Sequence, residues 1–186
     1  MPIEFRTTIN GEGASLKGVE LSLQLPFNIF TDGIFGNFGI IGNVTLVESD
    51  VDYSITGPAL ALNAAGNPTG GAPEIFTQPL INLAKKSANG TIYYEDGKFS
   101  ARASVAYRSG YIDGVSATRN IFEGYNSSLN VDASIRYQLT EEIELSLEGT
   151  NLTDDFRERW NDEGTRRNYE NNHFGRVFMA GVRVKL

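Results

Sequence analysis

The chain has 186 residues, a formal charge of −7 and no cysteine, with 20 glycines, 6 prolines, 11 phenylalanines and 8 tyrosines. Absence of cysteine excludes a disulfide scaffold and a thiolate metal or redox site, and a single histidine, His173, leaves a His-rich metal centre or a Ser-His-Asp triad only one residue to build on. The acidic balance argues against a nucleic-acid binder, no run of about 18 apolar residues offers a membrane-crossing helix, and Met1-Pro2-Ile3-Glu4-Phe5-Arg6 lacks the charged-then-apolar form of a signal peptide.

In chain order, the N-terminal half reads as strands near Ile3 to Asn10, Leu16 to Phe27, Phe38 to Val51 and Ala88 to Glu95. In the second, Val19, Leu21, Leu23, Leu25 and Phe27 point one way and Glu20, Ser22 and Gln24 the other. The C-terminal half alternates more strictly. From Lys98, Phe99, Ala101, Ala103, Val105 and Tyr107 oppose Ser100, Arg102, Ser104 and Arg108. From Tyr125 to Gln138, Leu129, Val131, Ala133, Ile135 and Tyr137 oppose Ser128, Asn130, Asp132, Ser134 and Arg136. Ile143, Leu145 and Leu147 oppose Glu144, Ser146 and Glu148, and Phe178, Ala180, Val182, Val184 and Leu186 oppose Arg183 and Lys185. A period of 3.6 would smear these sets around a helix, whereas a strand separates them onto two faces. The expected architecture is about eight long antiparallel strands and no helix, with at most a short turn around Lys85-Lys86.

The connections orient the chain. Glu95-Asp96-Gly97-Lys98 is a tight hairpin, since Asp-Gly supplies the positive φ of a primed turn, and Leu139-Thr140-Glu141-Glu142 is a second short turn. Between them lie long links from Tyr53 to Ser87, from Tyr111 to Gly124 and from Leu152 to Asn172. Up-and-down strands would gather the short turns at one end and the long links at the other. Two architectures share this pattern: a soluble barrel or sandwich with its apolar face inward and a small apolar ligand inside, or an outer-membrane barrel with its apolar face toward lipid and a polar lumen. Strand length, loop asymmetry and the Phe99, Tyr107, Tyr137 and Phe178 rings near strand ends favour the second.

Ser100-Ala101-Arg102, then Ala106 to Tyr111, Val131-Asp132-Ala133-Ser134-Ile135-Arg136-Tyr137, Leu147-Glu148-Gly149-Thr150-Asn151-Leu152-Thr153-Asp154, and Gly175-Arg176 leading to Gly181–Leu186 resemble the closing strands of a TonB-dependent outer-membrane receptor. Gly13 to Leu21 and Asn43 to Ser49 resemble earlier strands of the same barrel in the same order. The resemblance departs at Leu186, where the family usually ends in an aromatic residue. It implies that residues 1–186 are the C-terminal part of a barrel of about 22 strands, with the plug and first strands elsewhere. A self-contained barrel of about eight strands with a structural or adhesive role is the remaining form.

The resemblance further implies uptake of a scarce, bulky ligand, a ferric siderophore above others, at the outer membrane of a Gram-negative bacterium. Its partners would be outer-membrane lipid, TonB through the missing N-terminal region, and the barrel assembly machinery through the last strand; no cofactor and no covalent chemistry are implied. The long links Tyr53–Ser87, Tyr111–Gly124 and Leu152–Asn172 would be extracellular and the two tight turns periplasmic. Ligand contact would fall to Arg157, Arg159, Trp160, Arg166, Arg167 and Tyr169, because guanidinium groups grip carboxylates and aromatic faces stack on catecholate or sugar rings. Arg119, Phe122 and Tyr125 form a weaker second set. The competing assignment for these arginines is pairing with Asp154, Asp155, Glu158, Asp162, Glu163 and Glu170 in a solvated loop. His173 reads as a polar residue at the mouth of the last strand. Asp50, Asp52, Asp162 and Glu163 lack the ordered oxygen spacing of a calcium loop.

Overall fold

The computed structural model describes residues 13–56, 61–62, 64–65, 68–69, 73–115 and 122–185. The predicted strand Ile3 to Asn10, Arg119 and Leu186 lie outside them. Seven long strands follow one another as an antiparallel meander: β1 (Ser15–Pro26), β2 (Phe38–Thr56), β6 (Lys86–Glu95), β7 (Phe99–Arg108), β10 (Ser128–Gln138), β11 (Ile143–Thr150) and β14 (Val177–Val184). The shorter β3 (Ala61–Leu62), β4 (Pro68–Thr69) and β5 (Pro73–Gln78) interrupt the meander between β2 and β6, and β5 pairs with the far end of β2. β8 (Tyr111–Val115) and β9 (Phe122–Tyr125) stand between β7 and β10, and β12 (Arg157–Asn161) and β13 (Arg167–Asn172) between β11 and β14.

Register joins the alternating residues into two continuous surfaces. One row reads Leu23, Gly42, Gly90, Val105 and Val131 across five strands, and another reads Ile92, Ala103, Ala133, Gly149 and Phe178. On the opposite surface Tyr93, Arg102, Ser134 and Glu148 stand in line, as do Ser100, Arg136 and Ser146. The apolar surface is uncovered: Leu21 is 69% exposed, Ile92 50%, Leu147 53% and Val182 66%. A soluble sheet would bury this face under a second layer, but no described residue covers it. It is suited to hydrocarbon, which leaves the polar face for a hydrated lumen. At the rise of an antiparallel strand, the apolar run from Phe38 to Leu46 measures about 27 Å, and tilt brings that close to the height of a membrane-embedded band.

Both tight turns lie at one end. Asp96 N donates to Phe99 O at 3.1 Å, and Asp96 Oδ1 accepts from Lys98 N at 3.0 Å and Phe99 N at 2.8 Å. Positive φ falls on Gly97, at 90°, where a side chain would be strained. The backbone amides of Phe99 and Lys98, then the Tyr94 hydroxyl, hold the Asp96 carboxyl below its ordinary range. In the second turn Thr140 Oγ1 accepts from Ile143 N at 3.1 Å while Leu139 N reaches Ile143 O at 2.8 Å.

Four boundaries differ from the sequence expectation. β1 stops at Pro26, and the chain passes through two 3₁₀ turns, Phe27–Ile29 and Gly33–Asn37, before β2, because proline supplies no ladder donor. β2 continues past Val51, its alternation preserved in the pairs Val51–Gln78 and Tyr53–Phe76. β6 begins at Lys86, opposite Leu46, and the short turn lies just before it, where Leu83 N donates to Leu80 O at 3.1 Å and Asn82 has a φ of 65°. Tyr125 belongs to β9 rather than to the long strand β10.

Candidate functional site

Two of the long links, Tyr111–Gly124 and Leu152–Asn172, carry a second sheet, in the order β13-β12-β9-β8, at the end opposite the tight turns. Its strands are short and two are irregular, with register shifts between Ile112 and Gly114 and between Arg159 and Trp160. Ile112, Phe122 and Trp160 are its buried core, with Tyr53, Phe76 and Ile81 packed against them. The Phe122 ring meets Tyr53 and Phe76 edge-on at 5.7 and 6.1 Å, so the extended end of β2 and β5 anchors this sheet to the main one. Gly124 is the close-approach position: a Cβ there would collide with the Tyr111 carbonyl and stand 2.8 Å from Trp160 Cζ2.

Above that core Arg159 gathers three carboxylates, two from the link Tyr111–Gly124 and one from its own link Leu152–Asn172. Its Nη2 lies 2.9 Å from Asp113 Oδ2 and 3.2 Å from Glu123 Oε1, and its Nη1 lies 3.7 Å from Glu170 Oε2. Desolvation opposes its charge, but the fields of Asp113 and Glu123 outweigh it and raise the guanidinium's pKa. Tyr169 donates to Glu123 Oε2 at 3.0 Å; desolvation and this hydrogen bond push its hydroxyl up to about 12. Asp113 Oδ1 and Arg159 Nε are buried without a hydrogen-bond partner among the described residues.

On the polar side of the junction between the two sheets, a cleft of about 390 Å³ opens among Arg108, Tyr111, Tyr125, Asn126, Asn130 and Arg157. Four of these residues form a stack. The Arg108 guanidinium lies 3.9 Å from the Tyr111 ring centre, Tyr111 and Tyr125 are 5.4 Å apart, and Arg157 lies 4.0 Å from Tyr125. A guanidinium held over a ring by cation–π attraction still has N–H groups to offer an anion. Arg108 spends one of them on Asn82 O at 3.0 Å. The nearby carboxylates are held by amides instead: Asp155 Oδ2 accepts from Leu129 N at 2.9 Å, and Glu158 Oε2 from Asn126 Nδ2 at 2.8 Å.

The six residues singled out in the sequence therefore occupy different positions. Arg157 faces the cleft. Arg159 and Tyr169 hold the carboxylate cluster, and Trp160 is 3% exposed in the core. Arg166 leans over Trp160 at 5.2 Å, and Arg167 is exposed beside it. Of the acidic residues expected to pair with these arginines, Glu170 does so; Asp154 lies instead 3.0 Å from His173 Nε2 and 3.8 Å from Arg176 Nη2. Sequence reasoning missed Asp113 and Glu123, the main partners of Arg159, and gave Arg108 and Tyr111 no site role. Their only signal was position: Arg108 ends a polar strand face, and Tyr111 and Tyr125 flank one long link. Carboxylates in the other acidic stretches serve local bonds, as where Asp52 Oδ1 accepts from Thr77 Oγ1 at 2.6 Å and Asp162 Oδ2 from Thr165 Oγ1 at 2.7 Å.

The family model described as TonB dependent receptor-like, beta-barrel matches residues 3–152. Comparison with curated proteins gives no match. Among solved structures, the siderophore receptor PiuA from Acinetobacter baumannii is similar over 92% of this chain, with a TM-score of 0.61 and 19% identity. The chain spans 22% of that receptor's length, and at this identity the likeness is one of fold.

Proposed function

The chain belongs to the TonB-dependent receptor β-barrel family, and from that premise we propose that residues 1–186 form the C-terminal part of a receptor barrel in the outer membrane of a Gram-negative bacterium. The whole protein takes up a scarce, bulky ligand, a ferric siderophore, with energy relayed by TonB to a plug outside this stretch; the last strand engages the barrel assembly machinery. This is transport, with no covalent step assigned to any residue. The observation that carries the reading is the wall's uncovered apolar face backed by a polar one, with the Arg108–Tyr111–Tyr125–Arg157 stack at its long-link end. Extracellular placement of the long links follows, with the tight turns in the periplasm.

In this role Arg108 and Arg157 grip the anionic groups of the ligand at the luminal mouth. Arg166 and Arg167 extend the cationic surface along the turn after β12. Arg159, Trp160 and Tyr169 fix the shape of the outer sheet that carries them.

The test is uptake of radioiron-loaded siderophores by iron-limited cells carrying the intact protein. Expected are accumulation abolished by a protonophore, and binding weakened about tenfold by Arg108→Ala or Arg157→Ala, the loss of a charge-assisted hydrogen bond. Uptake indifferent to the protonophore, or the absence of binding to any ferric siderophore, overturns the assignment.

A further inference from the structure

The end of short turns holds one connection unlike the others. Glu95–Lys98 and Leu139–Glu142 are brief and polar, but eleven residues, Phe27 to Asn37, join β1 to β2 there. They pass through the two 3₁₀ turns, and an Ile-Phe pair goes with each: Ile29-Phe30 with the first and Ile34-Phe35 with the second. These four side chains are 60%, 72%, 69% and 71% exposed. Their backbone is nonetheless tied down: Phe30 N and Thr31 N both donate to Phe27 O, at 2.9 and 3.1 Å, and Phe38 N donates to Phe35 O.

The connection is two-sided. Asn28, Thr31, Asp32 and Asn37 line a cleft of about 410 Å³ with Tyr93 and Glu95, which stand on the polar face of the wall, and none of the four apolar side chains borders it. Phe38, where the second turn ends, belongs to the apolar face: its ring meets Tyr94 at 4.9 Å, and Tyr94 meets Phe99 at 6.0 Å. At the start of the connection, Leu25 stands opposite Ile40 and Pro26 opposite Gly39. The Ile-Phe pairs therefore begin where the apolar wall ends. Asp32 is the only charged residue between Glu20 and Glu48.

Contiguous bare apolar side chains on a held backbone mark a surface that meets a partner or another phase. A protein partner would find no polar rim here beyond Asp32 to fix its register, whereas acyl chains need none, and lipid already covers the wall with which the patch is continuous. Turns this short leave backbone amides that need water, so the backbone stays in the hydrated interface and only the side chains enter hydrocarbon. We propose that Phe27–Asn37 is an interfacial foot: Ile29, Phe30, Ile34 and Phe35 insert into the periplasmic leaflet of the outer membrane, while Asn28, Thr31 and Asp32 face water. The foot holds the β1–β2 pair at a fixed depth, and with no cation in it, it takes zwitterionic and anionic lipids alike. The proposal rests on the membrane assignment made above.

The intact protein is reconstituted in phosphatidylethanolamine–phosphatidylcholine vesicles carrying a lipid with a diazirine in its acyl chain, and the photolabelled residues are located by peptide mass spectrometry. Label is expected on Ile29, Phe30, Ile34 and Phe35, as on Leu21 and Val131 of the wall, and not on Asn28, Thr31 or Asp32. Exchanging part of the phosphatidylcholine for phosphatidylglycerol leaves the pattern unchanged. The combined Phe30→Ser, Phe35→Ser variant loses the label throughout residues 27–38 while the wall keeps its own. Label confined to the wall, with the turns reached by a water-soluble diazirine instead, overturns the foot and leaves the membrane assignment standing; a periplasmic protein partner would give this result. Turns labelled only when phosphatidylglycerol is present overturn the foot too, because the attachment would then be electrostatic. Absence of label from the wall overturns both assignments.

Discussion

The two sheets solve the same problem, covering apolar side chains, in opposite ways. The long-stranded sheet of β1, β2, β6, β7, β10, β11 and β14 builds no core; its apolar residues face outward in unbroken rows and leave their covering to the surroundings. The small sheet of β8, β9, β12 and β13 covers its own, turning Ile112, Phe122 and Trp160 inward and tying its strands with the Arg159 cluster. Strand regularity follows. A wall that is apolar on one whole face tolerates no slip of register, since one residue's shift would turn every side chain to the wrong side. A small sheet with a local core accepts bulges that re-aim individual side chains.

The largest expected separation comes from Trp160→Ala, which empties the centre of the outer core and costs that sheet about 3–5 kcal/mol. Hydrogen exchange should then rise at β9 and β12 while β7 and β10 keep their protection; equal loss in both sheets would show that they do not stand independently. The reciprocal change is Ala103→Arg, at the middle of the apolar face, which should cost the wall about 2–4 kcal/mol in lipid, read as a lower urea midpoint for vesicle-inserted protein. Ser134→Arg, on the polar face beside Arg102, should leave that midpoint nearly unchanged.

Gly97→Ala forces a side chain into positive φ and should cost about 1–2 kcal/mol, seen as faster exchange at the β6–β7 turn with no effect on the outer sheet. The smallest effect is a pH dependence. Because the Tyr169 hydroxyl is raised from its ordinary 10.0 to about 12, the folded outer sheet holds a proton that the unfolded chain releases first. Its stabilisation is therefore complete below pH 10.0 and is lost as the pH rises toward about 12. Tyr169→Phe should abolish this alkaline dependence in the phenolate absorbance titration of the outer sheet and leave the wall unaltered.

The wall was largely legible in the chain. Alternation in Phe99–Arg108 and Ser128–Gln138 assigned faces that the register then aligned across strands, and Asp96-Gly97 marked its hairpin. The outer sheet was not legible, because its strands are five or so residues of mixed polarity. The shifts at Ile112/Gly114 and Arg159/Trp160 break the period that would have revealed them. In a linear reading Arg157, Arg159 and Trp160 are equivalent members of one charged, aromatic loop. Their separation into a cleft residue, a clamp and a core residue needed the partner strand β9 to supply Glu123, Tyr125 and Phe122.

Residue order alone was enough for a meander of long strands with an apolar face, a polar face, an end of short turns and an end of long links. Those properties depend on near neighbours in the chain and on the two-residue period of a strand. Which arginines are satisfied and which are open depends on contacts between distant segments. Asp113 and Glu123 reach Arg159 from a different link, and Tyr111 and Tyr125 meet through the pairing of β8 with β9. Such long-range pairings are not encoded in any local pattern, and they separate a guanidinium neutralised by carboxylates from one stacked on a ring with its N–H groups free.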